Sequence, residues 1–145
     1  MKFLLPILLA PLPSIIWLSF YLRKDKHPEP NRLIIKIFFL GALIVPLAGI
    51  LEQGFFLGTE TFSFLDKLVI IVIVFAFIEE FMKYLVVKFG ILKNAEFDEP
   101  IDAMIYCITV ALGFAALENS LFILKPLMDG EVIRSVVMGN MRFVG

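Results

Sequence analysis

The sequence is poor in the side chains that build disulfides and most metal sites. Its 145 residues include one cysteine, Cys107, and one histidine, His27. A lone cysteine cannot form an internal disulfide. The sequence also has no H-E-x-x-H motif and no cysteine cluster, which are the usual patterns of zinc binding. These absences exclude a disulfide-stabilised scaffold and give little support to a zinc site built by this chain alone.

Charge is scarce as well. Charged residues make up 19% of the sequence, the formal net charge is -1 and the isoelectric point is about 5.8. No stretch has the basic character that nucleic-acid binding requires, so nucleic acid is not an expected partner. No internal repeat, low-complexity tract or interdomain linker divides the chain. We therefore predict a single domain over residues 1–145.

Hydrophobic residues, in contrast, are abundant and come in long runs. They account for 60% of the sequence, and the mean hydropathy is +0.94. A soluble domain with that surface would aggregate. About 20 consecutive apolar residues are enough for a helix to cross the roughly 30 Å of bilayer hydrocarbon. The expected fold is all-α, a polytopic bundle of transmembrane helices with the lipid bilayer as its surroundings.

Four runs are long enough to span, and a fifth begins near the end of the sequence. The predicted spans cover residues 3–22, 33–57, 64–89 and 101–124, with a partial span from 132. The first run ends at Arg23 without a cleavage site, which favours a retained anchor over a signal peptide. Because the fifth segment is too short to span, we expect that the chain is truncated at its C-terminus.

Lysine and arginine counts predict the orientation of these spans. The loop at residues 23–32 contains Arg23, Lys24, Lys26 and Arg32, and Lys88 and Lys93 lie just before and within the loop at 90–100. These basic residues place both loops in the cytoplasm and the N-terminus outside. Prolines at Pro28 and Pro30 keep the first of these loops from being helical throughout. The expected location is therefore the cell membrane, with several passes.

Three ionisable residues interrupt the third span: Glu79, Glu80 and Lys83. Each such group costs about 2.5–3.5 kcal/mol to insert, so it usually faces a bundle interior or a water-filled cavity. Adjacent residues point roughly 100° apart on a helix, and Lys83 can reach either carboxylate. One glutamate then pairs with Lys83. The other is a candidate to take a proton from water and later return it to a leaving amine, as amide hydrolysis requires.

The fourth span supplies further polar groups. Glu118 and Asn119 lie beyond its middle, and Gly113 before them would let a neighbouring helix approach closely. Glu118 could therefore meet the glutamate pair. Structural roles stay open for all of these residues: a Glu-Lys pair can fix helix register, Asn119 can bond between helices, and Asp102 can be a helix-terminal charge. Glu52, in the second span, is interpreted as an interfacial residue.

These stretches resemble the PrsW-like intramembrane proteases of bacteria and archaea, which are related to prenyl-protein peptidases. The resemblance rests on residues 21–33 (YLRKDKHPEPNRL), 79–83 (EEFMK) and 97–119 (FDEPIDAMIYCITVALGFAALEN). It implies that Glu79 and Glu80 match the essential glutamate pair of the family. Glu118 and Asn119 match its second motif.

Two family features differ or are missing. Ala103 and Cys107 stand where the family typically has glycine, which concerns helix packing rather than chemistry. The family also has a histidine some residues after an arginine that Arg142 could represent, and the sequence ends at Gly145 before any such histidine. We therefore do not expect full activity from this chain alone.

The resemblance implies an endopeptidase that cleaves membrane-anchored proteins, with a single-span membrane protein as substrate and, in some relatives, anti-sigma factors. The attacking water would be activated by a glutamate, with a divalent metal such as zinc or without a metal. The catalytic residues would be Glu79, Glu80 and Glu118, with Lys83, Asn119 and Asp102 in supporting positions. If a metal is bound, the same three glutamates would hold it. Two other functions use the same residues: a proton- or ion-coupled transporter, in which the glutamates relay protons, and a non-catalytic membrane scaffold.

Overall fold

A computed structural model describes residues 10–23, 29–59, 63–92, 94 and 96–128 of the chain. These residues form helices and their connections, and no strand occurs among them. The helices are α1 (Leu12–Leu22), α2 (Asn31–Leu57), α3 (Phe64–Gly90) and α4 (Pro100–Met128). The prediction of an all-α fold is confirmed.

Helix boundaries follow the local signals of the sequence closely. Predicted spans at residues 33–57, 64–89 and 101–124 correspond to α2, α3 and α4 within a few residues at each end. Pro30 stands immediately before α2 with an extended ψ of 122°, a position where its missing N–H leaves no helix hydrogen bond unmade, and Pro46 lies inside the same helix. Residues 3–9 of the first predicted span and the fifth segment from 132 lie outside the described residues.

Two of the helices have the length and composition of membrane spans. These are Asn31–Leu57 and the stretch Pro100–Leu124 of α4. At 1.5 Å per residue, the 27 residues of α2 extend about 40 Å, more than the hydrocarbon core requires. The equally long α3 is excluded from this class by the charged residues in its interior, among them Glu79, Glu80 and Lys83.

The closest packing in the structure is between α2 and α4, which share the most extensive helix contact. Gly41 of α2 lies directly against the backbone carbonyl of Val110, and Gly113 of α4 lies against that of Phe38. A Cβ atom at either glycine would collide with the facing main chain. Small residues that let two backbones meet are the usual basis of tight helix pairs in membranes. The predicted close approach at Gly113 is confirmed.

Two apolar clusters join the helices at successive levels of the bundle. The first contains Ile34, Ile37, Val87, Ile91, Ile105, Tyr106 and Val110, at the end where α2 and α4 begin and α3 ends. The second contains Ile44, Val45, Ala48 and Phe114, with Ile78, Met82, Val86 and Leu117 packed against it. The second cluster therefore lies near the middle of α2, α3 and α4.

A side-chain contact ties the two connections at one end of the bundle together. The hydroxyl of Tyr106, fully buried near the start of α4, donates a 2.6 Å hydrogen bond to Oε2 of Glu29 in the connection before α2. The end of α3 is at the same level, because Gly90 faces the side chain of Ile37. Glu29, just before α2, and the start of α4 thus lie at the same end of the bundle.

Candidate functional site

The Glu79-Glu80-Lys83 group is organised by the turn of α3. Lys83 Nζ lies 2.7 Å from Glu80 Oε1 and 3.7 Å from Glu79 Oε2. The side chain of Glu80 is 73% exposed, whereas that of Glu79 is 33% exposed. The prediction that one glutamate pairs with Lys83 is confirmed, with Glu80 as the closer partner. Glu79 is the glutamate that points toward the other helices.

Glu79 interacts electrostatically with a carboxylate from α4. The charges of Glu79 and Glu118 lie close enough to interact, although the two residues are 39 positions apart in the sequence. Glu118 stands one helical turn beyond the buried Phe114, which points into the second apolar cluster. Ile78 and Met82, on either side of Glu79, contact the same cluster. This electrostatic interaction agrees with the expected convergence of Glu118 with the glutamate pair, whose assignment as a site stays a prediction.

A third carboxylate, from α2, interacts electrostatically with this pair. Glu52 stands one turn beyond Ala48, a buried member of the second apolar cluster, and its charge interacts with those of Glu79 and Glu118. Its Oε1 atom is buried and has no hydrogen-bond partner among the described residues. The sequence-based interpretation took Glu52 as an interfacial residue; the structure adds that one of its carboxylate oxygens is buried and that the charges of Glu79 and Glu118 act on it.

Lys83 links α3 to α4 as well as holding the glutamates. Its Nζ atom lies 4.5 Å from the centre of the Phe114 ring, within the range of a cation–π interaction. The lysine side chain is 17% exposed, so water screens this contact only in part. Lys83 thus orients the glutamate pair of α3 relative to the helix that carries Glu118.

Asp102 and Asn119, the other two supporting residues predicted on α4, lie at different distances from the glutamates. Asp102 is 2% exposed, and its Oδ2 accepts hydrogen bonds from the backbone N–H groups of Asp98 and Glu99 at 3.1 and 2.8 Å. It caps the start of α4 and lies roughly 24 Å along the axis from Glu118, since each residue adds 1.5 Å. Asn119 is half-buried beside Glu118. The structure therefore separates Asp102 from the carboxylates, and the helix-terminal role is the one its contacts support.

The fold and the site together define a class: a helical membrane protein in which carboxylates from three helices interact electrostatically. A family model described as "PrsW family intramembrane metalloprotease" matches residues 29–145. The chain belongs to this family, as the resemblance of the sequence implied.

Curated relatives agree with the family model. The chain is 33% identical over 131 residues to Protease PrsW of Geobacillus kaustophilus, covering 86% of this chain and 55% of the relative. It is 34% identical over 124 residues to Protease PrsW of Oceanobacillus iheyensis, with 86% and 56% covered. The corresponding protein of Bacillus subtilis is 32% identical over 131 residues, again with 86% and 56% covered. The chain thus spans about half the length of these relatives. No solved structure matches it.

The family description names a metal, and the described side chains can be compared with that expectation. Within residues 10–23, 29–59, 63–92, 94 and 96–128, no three His, Cys, Asp or Glu side chains are placed to hold one ion. The converging donors are all glutamates, whereas catalytic zinc sites usually include histidine. These residues do not by themselves fit a complete metal site. A divalent ion such as zinc stays a prediction of the resemblance.

Proposed function

We propose that this chain belongs to an intramembrane endopeptidase that cleaves membrane-anchored proteins, and that it contains the catalytic glutamates of that enzyme. The observation that carries the proposal is that the two adjacent glutamates have different partners. Glu80 forms the close ion pair with Lys83, whereas Glu79 interacts electrostatically with Glu118 of the neighbouring helix. Membership of a family whose relatives are named proteases supports the same function.

In the proposed reaction Glu79 acts as the general base. Its carboxylate takes a proton from water while the water oxygen bonds to the carbonyl carbon of the peptide, and the carbonyl electron pair moves onto its oxygen. When the tetrahedral intermediate collapses, the C–N bond breaks and Glu79 returns the proton to the leaving nitrogen. Glu118 helps to hold the water and substrate, and Lys83 keeps Glu79 in place through its contacts with Glu80 and Phe114.

We place this centre in a cell-membrane protein that crosses the bilayer several times. In this arrangement α1 to α4 belong to four spans of one domain, the N-terminus is outside, and the loops at 23–32 and 90–100 are cytoplasmic. The positive charges of those loops and their location at one end of the bundle support the orientation. The substrate class is a single-span membrane protein, with membrane-anchored anti-sigma factors as one example.

The test is cleavage of a tagged single-span membrane protein by the full-length protein in liposomes. Glu79→Gln should lower the rate at least about a hundredfold, because it removes the base. Glu118→Gln should lower the rate by a smaller factor. Glu80→Gln should have the smallest effect of the three, since its carboxylate is exposed. Glu96→Gln, at an exposed carboxylate in the connection before α4, is the matched control and should cleave like the wild type.

Equal cleavage by all three site variants and the wild type would remove the catalytic assignment. If the wild type cleaves no substrate but carries out uptake driven by a proton gradient, the transporter is the correct function. A scaffold would instead show altered assembly in the variants and no turnover in any of them.

A further inference from the structure

The position of Glu52 on α2 determines the direction of its side chain. The face of α2 that carries Ile44, Val45 and Ala48 packs against α3 and α4 in the second apolar cluster. Glu52 continues that face by one turn, four residues beyond Ala48. Its side chain therefore extends over the end of the apolar cluster, toward the helices that carry Glu79 and Glu118.

The surroundings of Glu52 differ from those of a structural carboxylate in the same chain. Asp102 is nearly fully buried and accepts two backbone hydrogen bonds on one oxygen. Glu52 has a buried Oε1 without a hydrogen-bond partner among the described residues, and the charged groups that act on it, Glu79 and Glu118, are both negative. Buried polar atoms in folded proteins nearly always have a partner, and exceptions concentrate at functional sites.

We propose that Glu52 is a third carboxylate of the reaction centre, whose buried oxygen accepts a hydrogen bond from the attacking water. This inference rests on the proposed function, in which Glu79 takes one proton of that water. Glu52 binds the second O–H group, so the water is held by carboxylates from two helices and its lone pair is directed at the peptide carbon. The water keeps that second proton during the attack, and Glu52 therefore changes the orientation of the nucleophile and not the proton balance.

The experiment measures initial cleavage rates against substrate concentration for the full-length protein and three variants. Glu52→Leu removes the acceptor and keeps much of the volume. Glu52→Gln keeps one acceptor oxygen and removes the charge. Gln53→Ala changes the next, exposed residue of the same helix and is the matched control. The thermal midpoint of each protein in detergent is recorded in parallel.

We expect Glu52→Leu to lower kcat about 10- to 100-fold, the effect of losing one charged hydrogen bond in the transition state, with KM nearly unchanged. Glu52→Gln should keep an intermediate kcat because its amide oxygen still accepts. Neither variant should melt below the wild type, since each removes a carboxylate from beside two others, and residues placed for function often reduce stability. Gln53→Ala should match the wild type in both measurements.

Three outcomes would overturn the inference. A wild-type kcat in Glu52→Leu shows that the carboxyl group does not touch the water. A lower midpoint in both Glu52 variants, with activity falling only as folded protein is lost, shows a structural role. Failure of the wild type to cleave any substrate refutes the proposed function and this inference with it, whereas the first two outcomes leave the proposed function intact.

Discussion

The hydroxyl of Tyr106 and the carboxylate of Glu29, 77 residues apart, are joined by a hydrogen bond of 2.6 Å. Tyr106 is fully buried near the start of α4, and Glu29 precedes α2, so the bond closes one end of the bundle. A hydrogen bond to a charged group contributes about 1.5–3 kcal/mol. We expect Tyr106→Phe to lower the free energy of unfolding by about that amount.

The measurement is the thermal midpoint of the detergent-solubilised protein. Tyr84→Phe is the control, because Tyr84 is exposed on α3 and its contact with Lys88 uses the ring, which phenylalanine keeps. Equal midpoints for Tyr106→Phe and Tyr84→Phe would show that the bond to Glu29 does not stabilise the fold.

The glycines between α2 and α4 predict a second contrast. An added methyl group at Gly41 or Gly113 meets the backbone of the opposite helix, so the two helices must separate. We expect Gly41→Ala and Gly113→Ala to cost about 1–3 kcal/mol each, the usual range for overpacking. Gly49 has open space where its Cβ would be. Gly49→Ala should be neutral or stabilising by up to about 1 kcal/mol, because alanine favours the helix.

Unfolding midpoints of these three variants decide the matter, with cross-linking between cysteines placed on α2 and α4 as a second measurement of helix distance. A stable Gly113→Ala protein would mean that α2 and α4 are further apart than described here.

Asp102 should affect stability and leave catalysis unchanged. Its carboxylate accepts the N–H groups of Asp98 and Glu99, and the loss of such a cap costs about 0.5–2 kcal/mol. We expect Asp102→Ala to lower the thermal midpoint while kcat per folded molecule stays at the wild-type value. Asp98→Ala is the control, since the exposed side chain of Asp98 changes and its backbone donor remains. A loss of kcat in Asp102→Ala without a lower thermal midpoint would show that Asp102 contributes to catalysis.

Lys83 should matter more for turnover than for stability. Its pair with the exposed Glu80 contributes at most about 1 kcal/mol, and the contact with Phe114 adds about 0.5–2 kcal/mol. Lys83→Met removes both contacts and should lower kcat, because Glu79 loses the cation 3.7 Å away. Lys83→Arg should retain part of the activity. The control is Lys88→Met, which changes an exposed lysine near the end of α3. This variant should cleave like the wild type.

Most helices could be predicted because the lengths of apolar runs and the positions of prolines are local properties. The orientation of each helix could not. In a soluble protein, the buried face of a helix is apolar and the exposed face is polar, but lipid is as apolar as the core. In α2 the buried Ile44 and Val45 and the exposed Leu43 and Leu47 are chemically equivalent. The sequence pattern therefore contains little information on which side of α2 meets α4.

Glu52 was missed for the same reason. Near the end of a span, a single glutamate is as compatible with the interface as with the interior, and only the packing of Ala48 shows which direction it takes. One signal was available in the sequence: Glu52 is four residues from Ala48, the spacing of one helix face, and small residues mark helix contacts. The Glu79-Lys83 and Glu118 sites were predictable because charges in the interior of a span are rare enough to be informative by themselves.

The glycine contacts of α2 and α4 have a mechanical consequence for the carboxylates. Because the backbones of α2 and α4 touch at Gly41 and Gly113, these two helices have little room to slide past each other. Glu52 and Glu118 therefore belong to one rigid helix pair. The contact of α3 with each of these helices is less extensive than their contact with each other. A displacement of α3 relative to α2 and α4 would therefore change the distance from Glu79 to Glu52 and Glu118 while the distance between those two stays the same.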